Sequence, residues 1–133
     1  TNGLLLKKCI DYLIDKSFDV LISLDGNEYN NSYRNTTHGK NSFSSVYNTV
    51  KWLQTCYPSF FNSNVEFNAV LHNRNNLNEL LDFFQKEFSK VPSIGTLNPH
   101  GVDPIKKDEF EKTTTMKIKR FAKILNMTRK REF

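Results

Sequence analysis

The sequence predicts an α/β protein built on a parallel sheet, and three observations carry that expectation. Two segments of strand length and strand composition occur, over residues 19–24 and 65–71. Segments with apolar residues at helical spacing precede, separate and follow them. The resulting order is helix, strand, helix, strand, helix, a candidate short strand, and helix. Strands that alternate with helices in this way join as parallel neighbours through crossovers. The 133 residues suffice for one domain with a real core and not for two.

The first helix follows from Leu5, Leu6, Cys9, Ile10 and Leu13 on one side, with Lys7, Lys8, Asp11 and Asp15 on the other. Thr1 or Asn2 is placed to cap it, and Cys9 falls on the apolar side as a core thiol. Residues 20–26 start as a continuous apolar run, Val20-Leu21-Ile22, and the strand over 19–24 that contains it reads as buried on both faces. A polar loop over 25–41 follows and holds Arg34, His38 and Gly39. Ser42 is expected to cap a second helix with Phe43, Val46, Tyr47, Val50 and Leu53 as its buried stripe. Trp52 lies off the centre of that stripe, and Pro58 is expected to end the region. Residues 65–71 alternate partly and are rich in β-formers at their ends, as a second strand does. Leu77, Leu80, Leu81, Phe84 and Phe88 recur at i, i+3, i+4, i+7 and i+11, the spacing of a third helix. Residues 91–97 contain a candidate short strand, and 98–101 a loop. A last helical stretch starts at Asp103 or Pro104 and runs with interruptions to Asn126. Its apolar side is Phe110, Ile118, Phe121 and Leu125, with Thr113, Thr114 and Thr115 as a poor helix interior.

Composition narrows the class. The chain is 38% hydrophobic and 25% charged, which excludes a disordered polymer, and its eleven Phe supply bulky core material. No run approaches the about 18 apolar residues of a membrane span. Residues 1–14 lack the basic start and cleavage site of a signal peptide. The start at Thr1 fits a processed product or a piece cut from something longer. Two isolated cysteines, Cys9 and Cys56, make neither a disulfide framework nor a metal site by spacing, so a reducing cytoplasm is the simpler compartment. Asparagine clusters such as Asn73, Asn75 and Asn76 read as compositional drift with no chemistry attached. The net charge of +5 is compatible with an acidic partner without requiring one.

Ligands of open α/β sheets and α/β barrels sit beyond the carboxyl ends of the strands. Two polar crests occupy those positions: Ser23, Asp25 and Arg34 after the first strand, and Asn68 through His72 along the end of the second. Asp25-Gly26 taken alone also reads as an ordinary turn. In a parallel sheet both crests share one edge, and Arg34 is suited to hold a carboxylate bidentately. The three histidines, His38, His72 and His100, are too dispersed for a metal site by spacing. Walker, Gly-x-Gly-x-x-Gly, Gly-x-Ser-x-Gly and Cys-x-x-Cys motifs are all absent. The basic run Lys117, Lys119, Arg120, Lys123, Arg129, Lys130 and Arg131 reads as a solvated helix and tail, or as an anionic-partner site.

The series Ile22-Ser23-Leu24-Asp25-Gly26, Arg34, Gly39-Lys40, Ser42-Phe43, Val46, Asn48, Val50 and Leu53 resembles the second half of a radical S-adenosylmethionine (SAM) core. The similarity is to the branch of anaerobic sulfatase-maturating enzymes and peptide maturases with a C-terminal SPASM domain. Thr1-Asn2-Gly3 resembles the end of that family's fourth barrel strand, and residues 65–71 its sixth. The resemblance covers residues 1–88. It implies that the chain is a parallel-stranded fragment of a partial (β/α) radical SAM barrel. Residues 1–97 would be later βα units of that barrel, and 98–133 a loop and basic helical segment. It also implies SAM and a 4Fe–4S cluster in the full-length parent. Asn2, Ser23, Asp25, Arg34, Asn68 and Val70 would then belong to the SAM-binding wall, with Ser23 and Arg34 by the amino-carboxylate end and 68–70 against the nucleoside.

Two departures stand out. The cluster-binding Cys-x-x-x-Cys-x-x-Cys is absent, so the metal ligands are not in this chain. Asn27 replaces the Pro that often follows the Gly, and Asn30-Asn31 replace a His-Asp pair. The implied function is a portion of a radical SAM peptide or protein maturase acting through a 5′-deoxyadenosyl radical, inactive as this chain alone. Its partners would be a peptide or protein substrate, the rest of the barrel and a C-terminal domain. Membrane is excluded and nucleic acid disfavoured. The cut edges, with Leu21, Phe67 and Leu71 partly exposed, favour self-association. The alternative is a non-enzymatic α/β binding module whose basic C-terminal helix meets an anionic partner.

Overall fold

The computed structural model describes residues 1–96, together with 103–105, 107, 108 and 119. The loop at 98–101 with His100, the remaining basic residues of the C-terminal run apart from Lys119, and Phe110, Ile118, Phe121 and Leu125 lie outside the described residues. Over residues 1–96 the elements are α1 (Leu6–Asp15), β1 (Val20–Ser23), α2 (Phe43–Cys56), α3 (Pro58–Asn64), β2 (Val65–Leu71), α4 (Leu77–Phe88) and β3 (Ser93–Thr96). The strands form one parallel sheet in the order β1-β2-β3. The α/β class with a parallel sheet is thus observed, and β2 and α4 have the expected bounds.

The helices share one face of this sheet. Val20, Ile22, Val65, Phe67, Ala69 and Leu71 point into a single buried cluster with Leu6 and Ile10 of α1, Val46, Val50 and Leu53 of α2, Phe60 and Phe61 of α3, and Leu80, Phe84 and Phe88 of α4. Its centre is aromatic. Phe67 stacks on Phe88 with ring centroids 4.9 Å apart and meets Phe84 at 5.0 Å. Such pairs add specific geometry to the area that the rings bury.

Among the described residues the opposite face is bare, with no element packed on it. Leu21 and Glu66 are exposed, and Ser23, Asn68 and Val70 are half-buried. The expectation of a first strand buried on both faces is therefore corrected. An uninterrupted apolar run looks the same whether or not a second layer exists, and no element lies over Leu21 among the described residues. Phe67 and Leu71, expected to be partly exposed, are instead fully covered by the helices.

Several local expectations change with the packing. Cys9 is exposed, because Leu6 and Ile10 alone line the inner face of α1 at that level. Thr1 and Asn2 do not cap α1. Their side chains accept from the N–H groups of Gly3 and Leu4 in the turn before it. Ser42 occupies the N-cap of α2 without a side-chain cap bond, while the Asn41 Oδ1 accepts from the Phe43 N–H at 2.9 Å. Pro58 starts a helix rather than ending one. It takes the first position of α3, where its missing N–H leaves no bond unmade. Asn76 caps α4 by accepting from the Glu79 N–H, and Ser89 closes that helix in the left-handed region at φ 52°.

Candidate functional site

The carboxyl ends of β1 and β2 are tied together by side chains. The two strands pair through Ser23 and Asn68, and the Leu24 N–H then donates to the Asn68 carbonyl. Beyond that point Asp25 takes over the ladder. Its Oδ1 accepts from the Val70 N–H at 2.9 Å. The same carboxylate receives Arg34 bidentately, Nε to Oδ2 at 2.8 Å and Nη2 to Oδ1 at 2.9 Å. Asp25 is fully buried, whereas the Arg34 side chain keeps 30% exposure. The geometry is the planar fork in which guanidinium and carboxylate match best.

Asn75 completes the tie. Its side-chain amide donates to the Val70 carbonyl at 2.8 Å and lies 3.4 Å from the Asp25 carbonyl, and its Oδ1 accepts from the His72 N–H. His72 is buried beside it. The ring Nδ1 accepts from the Arg74 N–H at 3.0 Å, and Nε2 lies 3.8 Å from Asp25 Oδ2 and 3.4 Å from the Asn75 amide nitrogen. Asp25, His72 and Asn75 thus form one buried polar network, which Arg34 joins from its half-exposed position.

The 25–41 loop folds around this network through asparagines. Gly26 sits at φ 115°, and a Cβ there would approach Asn30 Oδ1 to 2.7 Å, so only glycine fits. The Asn31 Oδ1 accepts from the Asp25 N–H, while its amide reaches Asn41 and Ser42. The Asn30 amide donates to the Arg74 carbonyl. The Arg74 guanidinium lies 3.8 Å from the centroid of the Tyr33 ring and donates to Ser32. Asn30, Asn31, Asn75 and Asn76 therefore have structural tasks, and reading the asparagine clusters as drift is corrected. Buried backbone groups need partners, and a short amide supplies donor and acceptor together.

The bare face carries the remaining candidates in rows set by the register. Leu21 stands beside Glu66. Ser23, Asn68 and Ser93 form the next row, and Val70 and Gly95 the one after. Asn2 joins the side of the second row, because the Thr1 carbonyl accepts from the Ser23 N–H. The structure thus brings Asn2, Ser23, Asn68 and Val70 to one end of one face. It draws Asp25 and the Nε–Nη2 edge of Arg34 below that surface. Arg34 was expected to offer its fork to an outside carboxylate, but Asp25 already occupies that edge.

Ser93 and Gly95, placed in a candidate short strand, were not named as site residues from the sequence. Period-two alternation around the half-buried Ile94 would have placed them on the bare face once the third strand was accepted. Among the described residues no cluster of three or more His, Cys, Asp or Glu is placed to hold a metal ion. Cys9 and Cys56 are both exposed, and the sequence has no third thiol, so the residues present do not fit an iron–sulfur cluster. No helix among the described residues is long and apolar enough to cross a membrane. Comparison with protein-family models, curated proteins and solved structures finds no match to this chain.

Proposed function

We propose that this chain contributes part of the SAM-binding wall of a radical SAM enzyme that modifies a peptide or protein. One observation carries the reading. Among the described residues α1 to α4 cover one face of a parallel sheet, and the other face presents small polar groups in one row, Ser23 at the carboxyl end of β1, Asn68 in the middle of β2 and Ser93 at the start of β3. A (β/α) barrel has this division, with helices outside the sheet and its ligand site at the carboxyl ends of the strands, where Ser23 lies. The resemblance of residues 1–88 supplies the choice of SAM among ligands.

In this reading the Ser23 hydroxyl and the Asn68 amide offer donors and acceptors to the polar groups of SAM. Val70 and Gly95 offer a flat apolar patch beside them. Arg34, held by Asp25, contributes only the part of its guanidinium that faces solvent. The bound SAM and a cluster held by cysteines outside this chain would supply the radical chemistry, and this chain would hold and orient.

The test is a titration of the full 133-residue chain with SAM, followed by amide chemical shifts. Binding by one wall of a site is expected to be weak, with Kd near about 1 mM. Shifts confined to Ser23, Asn68, Val70 and Gly95, and lost in Ser23→Ala/Asn68→Leu, support the reading. An unperturbed bare face at saturating SAM refutes it.

A further inference from the structure

We infer that the turn over residues 72–75 is a proton-operated latch on the 25–41 loop, closed while the His72 ring is neutral and opened when the ring takes up a proton. The latch is built on the backbone of Arg74. Its N–H donates to His72 Nδ1 at 3.0 Å, and its carbonyl accepts from the Asn30 amide of the loop at 2.8 Å. Two further bonds join the same turn to the same loop. Arg74 Nη1 donates to the Ser32 hydroxyl at 2.8 Å, and the Tyr33 hydroxyl donates to Asn73 Oδ1 at 2.8 Å. Whatever displaces Arg74 from His72 therefore loosens the loop as well.

The chemistry of the ring supplies the displacement. A ring nitrogen that accepts a hydrogen bond carries no proton, whereas the imidazolium ion has an N–H on both nitrogens. A proton on Nδ1 thus sets two donors against each other across 3.0 Å. Turning the ring over puts a carbon in the place of Nδ1 and loses the same bond. His72 is only 1% exposed, so bulk water does not make the loss good while the turn stays closed.

The charged neighbours act in the same direction. The Asp25 carboxylate, 3.8 Å from Nε2, attracts a proton to the ring. Arg34 already matches that carboxylate at shorter range, with bonds of 2.8 and 2.9 Å. Tyr33 meets the ring at 88° with centroids 5.0 Å apart, and the Arg74 guanidinium lies over Tyr33. Two guanidinium groups thus stand around one carboxylate, and the closed turn favours the neutral ring. An opened turn lets the ring ionise near the ordinary histidine value of about 6.5. The latch is fully closed above that value and weakens as pH falls through it, because the open form binds one more proton. None of this depends on SAM, and a chain that fails to bind SAM keeps the latch.

The test is amide hydrogen exchange of the full chain, read as protection factors at about pH 7.5 and about pH 5.5, on either side of the ordinary histidine value. The Arg74 amide reports the turn, and the Phe84 amide in α4 reports the whole fold. Protonation of the opened turn raises its population by roughly tenfold at the lower pH, so Arg74 protection is expected to fall by about that factor while Phe84 holds. His72→Asn keeps a side-chain acceptor for the N–H two residues on and does not titrate, and it is expected to abolish the fall. Level Arg74 protection in the wild type overturns the inference, and so does an equal fall in His72→Asn. A parallel fall at Phe84 overturns it too, since the whole fold then opens. Should His72→Asn not fold, the ring nitrogen shifts of wild-type His72 decide. Charging of the ring that tracks the loss of Arg74 protection supports the latch, and charging with Arg74 protection unchanged overturns it.

Discussion

Replacing Asp25 with Asn tests whether one carboxylate joins the two strand ends. The two side chains have nearly the same shape, so cavity effects are small. Oδ1 can keep the Val70 N–H, but the atom that replaces Oδ2 becomes an NH2 group facing the Arg34 Nε at 2.8 Å. Rotating the amide only moves the clash of donors to the Val70 N–H and Arg34 Nη2. At least one charge-assisted hydrogen bond is lost, each worth about 1.5–3 kcal/mol. Arg34 is 30% exposed and recovers some hydration, which holds the loss below the roughly 3–5 kcal/mol of a wholly buried broken pair. The expected cost is therefore about 2–3 kcal/mol, a large part of the ~5–15 kcal/mol typical of a whole domain. Arg34→Gln should cost at least as much, since it leaves the more deeply buried partner without its counter-charge. The double variant should cost less than the sum, with a coupling of about 1–3 kcal/mol. Urea denaturation at neutral pH, read by circular dichroism with the slope held constant, measures each value. Asp25→Asn within ~0.5 kcal/mol of wild type, or additive single losses, would refute the clasp.

Three further expectations follow from the same structure. Asn75→Ala leaves the His72 N–H and the Val70 carbonyl without their side-chain partners, and should lower stability by about 1–3 kcal/mol in the same urea assay. Leu21→Thr should change stability by less than ~0.5 kcal/mol while Ile22→Ala costs about 2–5 kcal/mol; equal losses would mean that the face of β1 carrying Leu21 is covered. The Tyr47 hydroxyl donates to Glu87 Oε2 at 2.6 Å, and this bond raises the Tyr47 pKa; the same bond, followed by Lys51, lowers that of Glu87. The Glu87 contribution is present above the ordinary glutamate pKa and is lost as pH falls through its lowered folded value. The Tyr47 contribution is present below the ordinary tyrosine pKa and is lost as pH rises through its raised folded value. Tyr47→Phe should therefore flatten the alkaline decline and weaken the acid one in melting temperature against pH, and an unchanged profile would contradict the bond.

Much of the chain was legible because periodicity is a local signal. Leu77 to Phe88 repeats at helical spacing, and β2 carries β-formers between two helical stretches. The candidate site was legible in part. Ser23 and Asn68 were singled out by their place in the polar crests and Val70 through the resemblance, and the register puts them on one face. Arg34 and Asp25 were named in one crest, but their pairing with each other was not foreseen. That pairing depends on how the 25–41 loop returns, and that path is set by Gly26 and by amide contacts among Asn30, Asn31 and Asn41. Helix caps failed for a related reason. Ser42 and Asn41 are both good cap residues, and only the backbone angle at Ser42 decides which side chain reaches the Phe43 N–H.

By itself, the sequence determined the class of the protein, the order of its main strands and helices, and the end of the sheet where its polar residues gather. Those follow from apolar spacing along the chain, which neighbours in sequence are enough to express. Tertiary structure alone decided that the helices lie on one side, that Leu21 faces outward while Phe67 and Leu71 do not, and that Asp25 spends its charge on Arg34. Each of these depends on contacts between residues far apart in sequence, and a buried run reads the same whichever layer is present to bury it.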